Sequence, residues 1–234
     1  MKNARKLAAL ALLLMPVGLV RAAWAADDLG KVMARLDEES AKFKSASADL
    51  TWDNVQVHPF PDPDTQVGTI LFDREAGKVQ VAVHLKSENG KAIHKDIVYA
   101  GGKGKLYDAM QKQMNVFAVG DKQAQFDSLL TLGFGGSGKD LQKDWTVTYV
   151  GAEQVNGAAA AKLQLVPRDP NLAKTAPKVL LWVDMDKGVA VKQQRFDASD
   201  NYVTFTYANV KLNVPVSSNS FDIKPPSGTQ IVNH

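Results

Sequence analysis

The chain has 234 residues, of which 28 are basic, 25 are acidic and four are histidine, and it contains no cysteine. The absence of cysteine excludes thiol catalysis, disulfide bonds and zinc–thiolate sites. The two kinds of charge are nearly balanced and form no basic stripe, so nothing in the composition indicates nucleic-acid binding.

The first 25 residues have the pattern of a secretion signal. A basic head precedes an apolar stretch from Leu7 to Val20, and Ala23-Trp24-Ala25 supplies a small-x-small cleavage site. The apolar stretch is shorter than the roughly 20 residues that span a bilayer, so we predict cleavage before Ala26 rather than a membrane anchor. Four basic residues leave with the signal, and the 24 that remain against 25 acidic ones give a net charge of −1. We expect residues 26–234 to be exported and to form a single domain.

An amphipathic pattern predicts one helix from Asp28 to about Ser45. The two aspartates at its start favour helix initiation. Its apolar residues recur at spacings of three, four and seven, which places them on one stripe: Leu29, Val32, Met33, Leu36 and Phe43.

From Ala48 the apolar period changes to two, which predicts β-strands. Three prolines between His58 and Asp64 predict a break after the first strand, and Glu88-Asn89-Gly90 predicts a hairpin turn. The predicted strands of this half are residues 50–57, 66–72, 78–85, 93–99, 105–107 and 115–119.

Helical spacing returns between Asp121 and Gly133, and a second helical turn is predicted from Lys139 to Asp144. The glycines between these segments predict a flexible hinge. Strands then follow at 145–150, 159–166, 178–184, 189–197 and 202–212, with a last strand in the tail, residues 221–228. Short strands separated by turns indicate an antiparallel meander. Lys178 to Asp184 is apolar on both faces, so either helices or a lipophilic guest should cover the second face.

Several short motifs are similar to chemical sites but are incomplete. Gly133 to Lys139 is similar to a phosphate-binding loop, yet Asp140 stands where a magnesium-binding Ser or Thr is required. Asp184 to Gly188 lacks the closing glutamate of a calcium loop, and the histidines share no metal-ligand spacing. We find no catalytic constellation, and we predict that the protein is not an enzyme and uses no cofactor or metal.

The remaining candidate site is apolar. Its residues are either ordinary core or the lining of a cavity closed by a short helical lid, in which flexible side chains repack around a guest. The cavity interpretation predicts a lining of Trp52, Phe72, Val81, Val83, Tyr99, Met114, Phe117, Phe126, Leu129, Leu130, Phe134, Trp182, Phe196 and Phe205.

Four segments, in order along the chain, resemble a known family. They are the run Ser45 to Trp52 after the first helix, then Gly68 to Arg74, Ile97 to Tyr107, and Phe221 to Gly228. Over nearly all of the mature chain they are similar to the periplasmic outer-membrane lipoprotein carriers (LolA-type) and to related lipoprotein-sorting and sigma-factor-regulator-like proteins. The resemblance implies a mainly β (α+β) fold, an unclosed antiparallel β-barrel with an N-terminal helix and a helical lid over its concave face.

The resemblance also implies a function. The concave face should hold the acyl chains of a lipoprotein or another lipid, which a monomeric periplasmic carrier delivers toward the outer membrane. An inner-membrane release complex and an outer-membrane acceptor are the implied partners. Arg74 matches the arginine that latches the lid, although Glu75 follows it where the family usually has proline. The alternative is a lipid-sensing regulatory module of the same fold that acts on a membrane-protein partner.

Overall fold

The computed structural model describes residues 17–75, 78–120, 128–130 and 132–234. The start of the predicted signal, residues 1–16, and most of the predicted helix 121–133 lie outside these ranges. Within them, no helix has both the length and the apolar character needed to cross a membrane.

Three α-helices and twelve strands have bounds within the described residues, and residues 128–130 are also helical. The helices are α1 (Val17–Lys42), α2 (Gly138–Asp144) and α3 (Pro170–Thr175), and a 3₁₀ turn spans Ser218–Phe221. The strands of the first half are β1 (Ser45–Gln56), β2 (Asp62–Glu75), β3 (Lys78–Glu88), β4 (Lys91–Ala100), β5 (Lys103–Asp108) and β6 (Gln113–Ala118). Those of the second half are β7 (Trp145–Val155), β8 (Ala158–Pro167), β9 (Lys178–Asp184), β10 (Val189–Phe196), β11 (Tyr202–Leu212) and β12 (Gln230–Asn233).

All twelve strands belong to one sheet, in the order β12-β6-β5-β4-β3-β2-β1-β11-β10-β9-β8-β7. Neighbours are antiparallel except for β12, which runs parallel to β6. β1 joins two meanders, because it pairs with β2 on one side and with β11 on the other. The outermost strands, β7 and β12, do not pair with each other, so the sheet stays open. The expected unclosed antiparallel barrel is confirmed.

The first helix ends three residues earlier than predicted, at Lys42. β1 begins at Ser45, which pairs with Asp73 of β2. The backbone N–H of Lys44 donates to Asn213 Oδ1 at 2.8 Å. Pairing with two neighbouring segments therefore takes these residues out of the helix. The helix also includes residues before the predicted Asp28, from Val17 onward among the described residues.

The proline-rich segment enters the sheet earlier than its sequence predicts. β2 begins at Asp62 and includes Pro63, which pairs with Val55 of β1. β3 pairs with β2 only from Gln66 onward. Proline is tolerated here because this end of β2 has a strand partner on one side only.

The tail prediction was wrong. Residues 222–228 form no strand; the last strand is β12, further along. Phe221 and Ile223 instead pack on the outer face of the sheet beside Ala82, Val98 and Tyr107. Prolines 225 and 226 remove backbone donors, so the tail covers this face with side chains rather than by strand pairing.

The main core lies on the concave side of the sheet. Residues of β1–β4 and β7–β11 point to it, and α1 contributes Val32, Met33 and Leu36. As the period of two predicts, Val79, Val81, Val83 and Leu85 of β3 all join this core. The helix α1 packs against α2 and β7, so it fills one part of the concave face and leaves the part beside β1–β6 for a cavity.

Candidate apolar binding site

A cavity of about 320 Å³ lies on the concave face. Side chains from β1–β6 and β9–β11 form its walls, and three leucines from residues 129–132 contribute the remaining side. This volume is at the lower end of the range for small-molecule sites. The lining is Trp52, Ile70, Phe72, Val81, Val83, Ile97, Val98, Tyr99, Gly104, Phe117, Leu129, Leu130, Leu132, Val179, Gln193, Arg195, Phe205 and Tyr207.

Nine of the fourteen residues predicted for the site lie in this lining. They come from strands on both sides of β1 and from the helical residues 128–130. The structure therefore brings together residues as distant in sequence as Trp52 and Phe205, whose ring centroids are 5.1 Å apart. The nine are Trp52, Phe72, Val81, Val83, Tyr99, Phe117, Leu129, Leu130 and Phe205.

Three predicted residues lie away from the cavity because their strand positions point to the opposite face. Met114 packs under the tail with Phe221 and Ile223. Trp182 packs with Val191 and Ala160 in a separate outer cluster. Phe196 also lies outside the cavity lining and contacts Tyr202, with ring centroids 5.6 Å apart. Phe126 lies outside the described residues, and Phe134 packs behind the cavity wall.

Lysine side chains cover the second apolar face of β9. The ammonium groups of Lys162 and Lys192 lie 4.9 and 4.6 Å from the ring centroid of Trp182. The indole Nε1–H donates to Glu153 Oε2 at 2.6 Å. The hydrogen bond from Lys162 lowers the pKa of Glu153 most, and the bond from the indole lowers it further. The aliphatic stems of long cationic side chains can shield an apolar ring while their charges reach water. Neither a helix nor a guest is needed on this face.

A segment from Leu132 to Gly135 is fastened to the sheet by its carbonyl oxygens; we call it the strap. Gln193 Nε2 donates to the Leu132 carbonyl oxygen at 2.5 Å. The backbone N–H of Ala190 donates to the Gly133 carbonyl oxygen at 2.9 Å. Because Leu132 also lines the cavity, these bonds hold one wall of the site in place.

Arg74 fastens the other end of the strap. Its Nη1 donates to the Ser40 carbonyl oxygen at 2.9 Å, and its Nη2 donates to the Gly135 carbonyl oxygen. Ser40 Oγ donates to the same oxygen of Gly135 at 2.8 Å, and the guanidinium lies over the ring of Phe43, 5.4 Å from its centroid. Arg74 thus joins the end of β2, the end of α1 and the strap, as a latch would. Its role in opening stays a prediction.

Gly135 is required at its position for two reasons. Its φ of +78° is in the left-handed region that favours glycine. A Cβ atom there would lie 2.7 Å from Arg74 Nη2 and 2.9 Å from the ring of Phe43. The glycine-rich segment is therefore packed and hydrogen-bonded at this point, where the sequence predicted a flexible hinge.

The incomplete motifs have structural roles. Ser137 caps α2 by accepting a hydrogen bond from the backbone N–H of Asp140 at 3.0 Å. The Asp184 carboxylate accepts from the backbone N–H groups of Asp186 and Lys187, at 2.8 and 3.1 Å. Among the residues that the structure describes, no cluster of His, Asp and Glu could hold a metal ion.

Two polar residues of the lining, Gln193 and Arg195, were missed from the sequence. In the β9–β10 hairpin, Leu181 pairs with Gln193 and Val179 pairs with Arg195. Directly paired residues share a face, so the apolar face assigned to β9 carries over to these two positions. The register of this hairpin would have revealed them; a search restricted to apolar residues could not. The missed apolar lining residues are Ile70, Ile97, Leu132, Val179 and Tyr207. Val98 also borders the cavity, although its side chain packs on the outer face.

Comparisons with known proteins give structural matches only. No family model and no curated protein sequence matches the chain significantly. A crystal structure of MucB matches with a TM-score of 0.50 and 16% identity, over 88% of this chain and 66% of MucB. An uncharacterized conserved protein from Thermus thermophilus matches with a TM-score of 0.55 and 8% identity, over 88% of this chain and 99% of that protein.

A LolA superfamily protein, NE2245 from Nitrosomonas europaea, matches with a TM-score of 0.39 and 12% identity, over 83% of this chain and 97% of that protein. The chain spans less than two thirds of MucB. At these identities the likeness to MucB and to the Thermus protein shows the fold alone. The unclosed antiparallel half-barrel predicted from the sequence is confirmed as a fold.

Proposed function

We propose that this protein is a periplasmic carrier that binds the acyl chains of a lipoprotein, or of another lipid, and delivers them toward the outer membrane. The apolar cavity is the observation that supports this proposal most. One side of the cavity is formed by leucines that lie in the hydrogen-bonded strap or just before it. The fold shared with MucB is compatible with this function. We infer export from the sequence pattern of the first 25 residues.

The cavity offers the energy that such a carrier needs. Each CH₂ group moved from water to an apolar site contributes about 0.8 kcal/mol. Release requires that the closed form be only slightly favoured, so that a partner can shift the equilibrium toward opening. Hydrogen bonds from Arg74, Ser40, Ala190 and Gln193 hold the strap in the closed form, and release would have to break them.

The test is binding of an uncharged hydrophobic dye to the mature protein and its displacement by a lipopeptide. A cavity-filling variant, Ile97→Trp, should reduce dye binding, because Ile97 lines the site. The matched control is Val150→Trp on β7, where Val150 is 52% exposed. Dye uptake no greater than that of an ordinary globular protein, or equal effects of the two variants, would refute the carrier proposal.

Export is tested separately. We expect the protein to be released with the periplasmic fraction and its N-terminus to be Ala26. Mass spectrometry of the intact released protein measures both. A chain that keeps Met1 and remains in the membrane or cytosolic fraction would contradict the export proposal.

The alternative, a regulatory module that acts on a membrane-protein partner, is favoured by one observation. β7 is an edge strand that pairs only with β8 among the described strands, and it exposes Val150. An edge of this kind can accept a further strand from a partner. If Val150→Lys abolishes capture of a specific membrane protein while dye binding is unchanged, the regulatory function is supported over simple carriage.

A further inference from the structure

We infer that the cavity selects amphiphiles with an anionic head group, a carboxylate or a phosphate, and that Arg195 binds this head. The inference rests on the proposed lipid-binding function and goes beyond it, because an apolar cavity alone does not select between heads. It rests on two observations: the position of the Arg195 guanidinium, and the absence of a hydrogen-bond or ion-pair partner for it within the described residues.

Arg195 stands at the junction of two different environments. It lines the apolar cavity together with Val179 and Phe205. It also lines a second pocket, of about 330 Å³, which has polar side chains at Asn54 and Asn201. An amphiphile requires an apolar wall for its tail and a polar outlet for its head. The position of Arg195 provides the boundary between them.

The other arginines whose side chains are described are all engaged. Arg35 donates to the carbonyl oxygens of Met185 and Asp186, Arg74 forms the latch, and Arg168 Nε donates to the Gln142 carbonyl oxygen at 3.2 Å. For Arg195, in contrast, the described part of the chain supplies no hydrogen-bond acceptor and no ion-pair partner.

The acidic residue that shares the second pocket does not fill this role. Asp197 belongs to the turn after β10, and its carboxylate accepts from the backbone N–H groups of Ser199 and Asn201 at 2.7 and 3.0 Å. Asn201 Nδ2 donates to the same carboxylate at 3.0 Å. These bonds lower the pKa of Asp197 and fix it within its own turn.

A partly buried cation without a counter-charge is costly. Burial lowers the pKa of Arg195, in the direction expected for a guanidinium withdrawn from water. Two parallel N–H groups of a guanidinium match the two oxygens of a carboxylate or phosphate. An anionic head at this position would supply the missing partner while its tail occupies the cavity.

The test compares single-chain amphiphiles that share one tail and differ in head. Dodecanoate, dodecyl phosphate, dodecanol and dodecyltrimethylammonium each displace an uncharged hydrophobic dye from the mature protein. We expect the two anions to displace it at concentrations about tenfold or more below those of dodecanol, since a charged hydrogen bond contributes on that scale. A preference for only one of the anions identifies which head the site accepts.

Variants then assign the preference to one residue. Arg195→Gln should remove the advantage of the anions over dodecanol, and a cooperative thermal unfolding transition shows that the variant folds. Arg195→Lys should keep part of the advantage. Arg168→Gln is the matched control and should behave as the wild type.

Equal displacement by dodecanoate, dodecyl phosphate and dodecanol in the wild type would overturn the inference while the carrier proposal stands, and this comparison needs no variant. An anion preference that survives in Arg195→Gln would overturn the role of Arg195. If none of the four amphiphiles displaces the dye, the carrier proposal and this inference both fail.

Discussion

The ring of Phe134 stacks on the ring of Phe72, with centroids 4.2 Å apart and planes inclined by 12°. Phe134 is fully buried in the strap, whereas Phe72 lies in the cavity wall. Tyr207 closes the group with an edge-on contact to Phe134 at 5.0 Å. Burial raises the pKa of Tyr207, as expected for a phenol that remains neutral in a core. Opening of the strap would therefore remove a buried aromatic ring from behind the wall of the binding site.

Phe134→Ala should lower the free energy of unfolding by about 3–5 kcal/mol, because it removes a fully buried ring and leaves a cavity. Urea unfolding followed by tryptophan fluorescence measures the loss. Phe60→Ala is the control, since Phe60 is 79% exposed and its loss should change little. A change below about 1 kcal/mol for Phe134→Ala would show that the stack contributes little.

Arg74→Leu should loosen the strap, because it removes charge-assisted hydrogen bonds that each contribute about 1.5–3 kcal/mol. Backbone amide exchange in residues 132–136 should accelerate in the absence of cargo. We also expect onward transfer of lipid to fail before loading does, because weaker closure of the empty state favours the open, loaded state. Arg168→Leu serves as the control. Unchanged exchange, loading and release in Arg74→Leu would refute the latch.

The ion pair between the tail and β5 should make the free energy of unfolding depend on pH in the acid range. Lys105 Nζ lies 2.6 Å from Asp222 Oδ1 and lowers the pKa of this carboxyl. Because the folded pKa is below the unfolded one, the pair stabilises above the unfolded value of about 3.9 and loses its effect as pH falls through the folded value. Asp222→Asn should be less stable than the wild type at neutral pH and equal to it in strong acid. A difference that persists in acid would contradict this assignment.

Magnesium-ATP and calcium should leave the melting temperature unchanged. Polar side chains of the phosphate-loop-like and calcium-loop-like segments already stabilise the fold. Ser137 caps a helix, and Asp184 accepts a hydrogen bond within its turn. Asp184→Asn should therefore lower stability to the same extent with and without calcium, measured by thermal unfolding. A rise of several degrees on addition of either ligand would show binding to the folded protein.

The two-residue repeat of apolar side chains, together with the turn residues, predicted most of the strands of the sheet. The strands at 178–184 and 202–212 have their predicted bounds, and Asn89 and Gly90 form the predicted turn with positive φ values. The tail and Pro63 were not predicted correctly, because the pairing of each depends on distant strands. A local pattern contains no information on which side of a strand lacks a partner.

The site was predicted less completely than the sheet. Residue type alone placed Trp182 and Met114 in the lining, although strand alternation turns both to the outer face. Arg195 was missed for the opposite reason: it is charged but occupies a position that faces the core. Predicting it required the register of β9 with β10, which also contains a bulge between Ala190 and Lys192.

The central position of β1 has a consequence for the order of folding. The meander β1–β6 consists of contacts between neighbours in sequence, whereas the pairing of Trp52 with Phe205 must wait until β11 has been synthesised. Long-range pairing of this kind is slow, because loop closure costs entropy before contacts compensate for it. Until β11 docks, the apolar wall formed by Phe72, Val81 and Val83 lacks its opposite side. We therefore expect the apolar face of the β1–β6 meander to stay exposed to water until the β10–β11 hairpin docks.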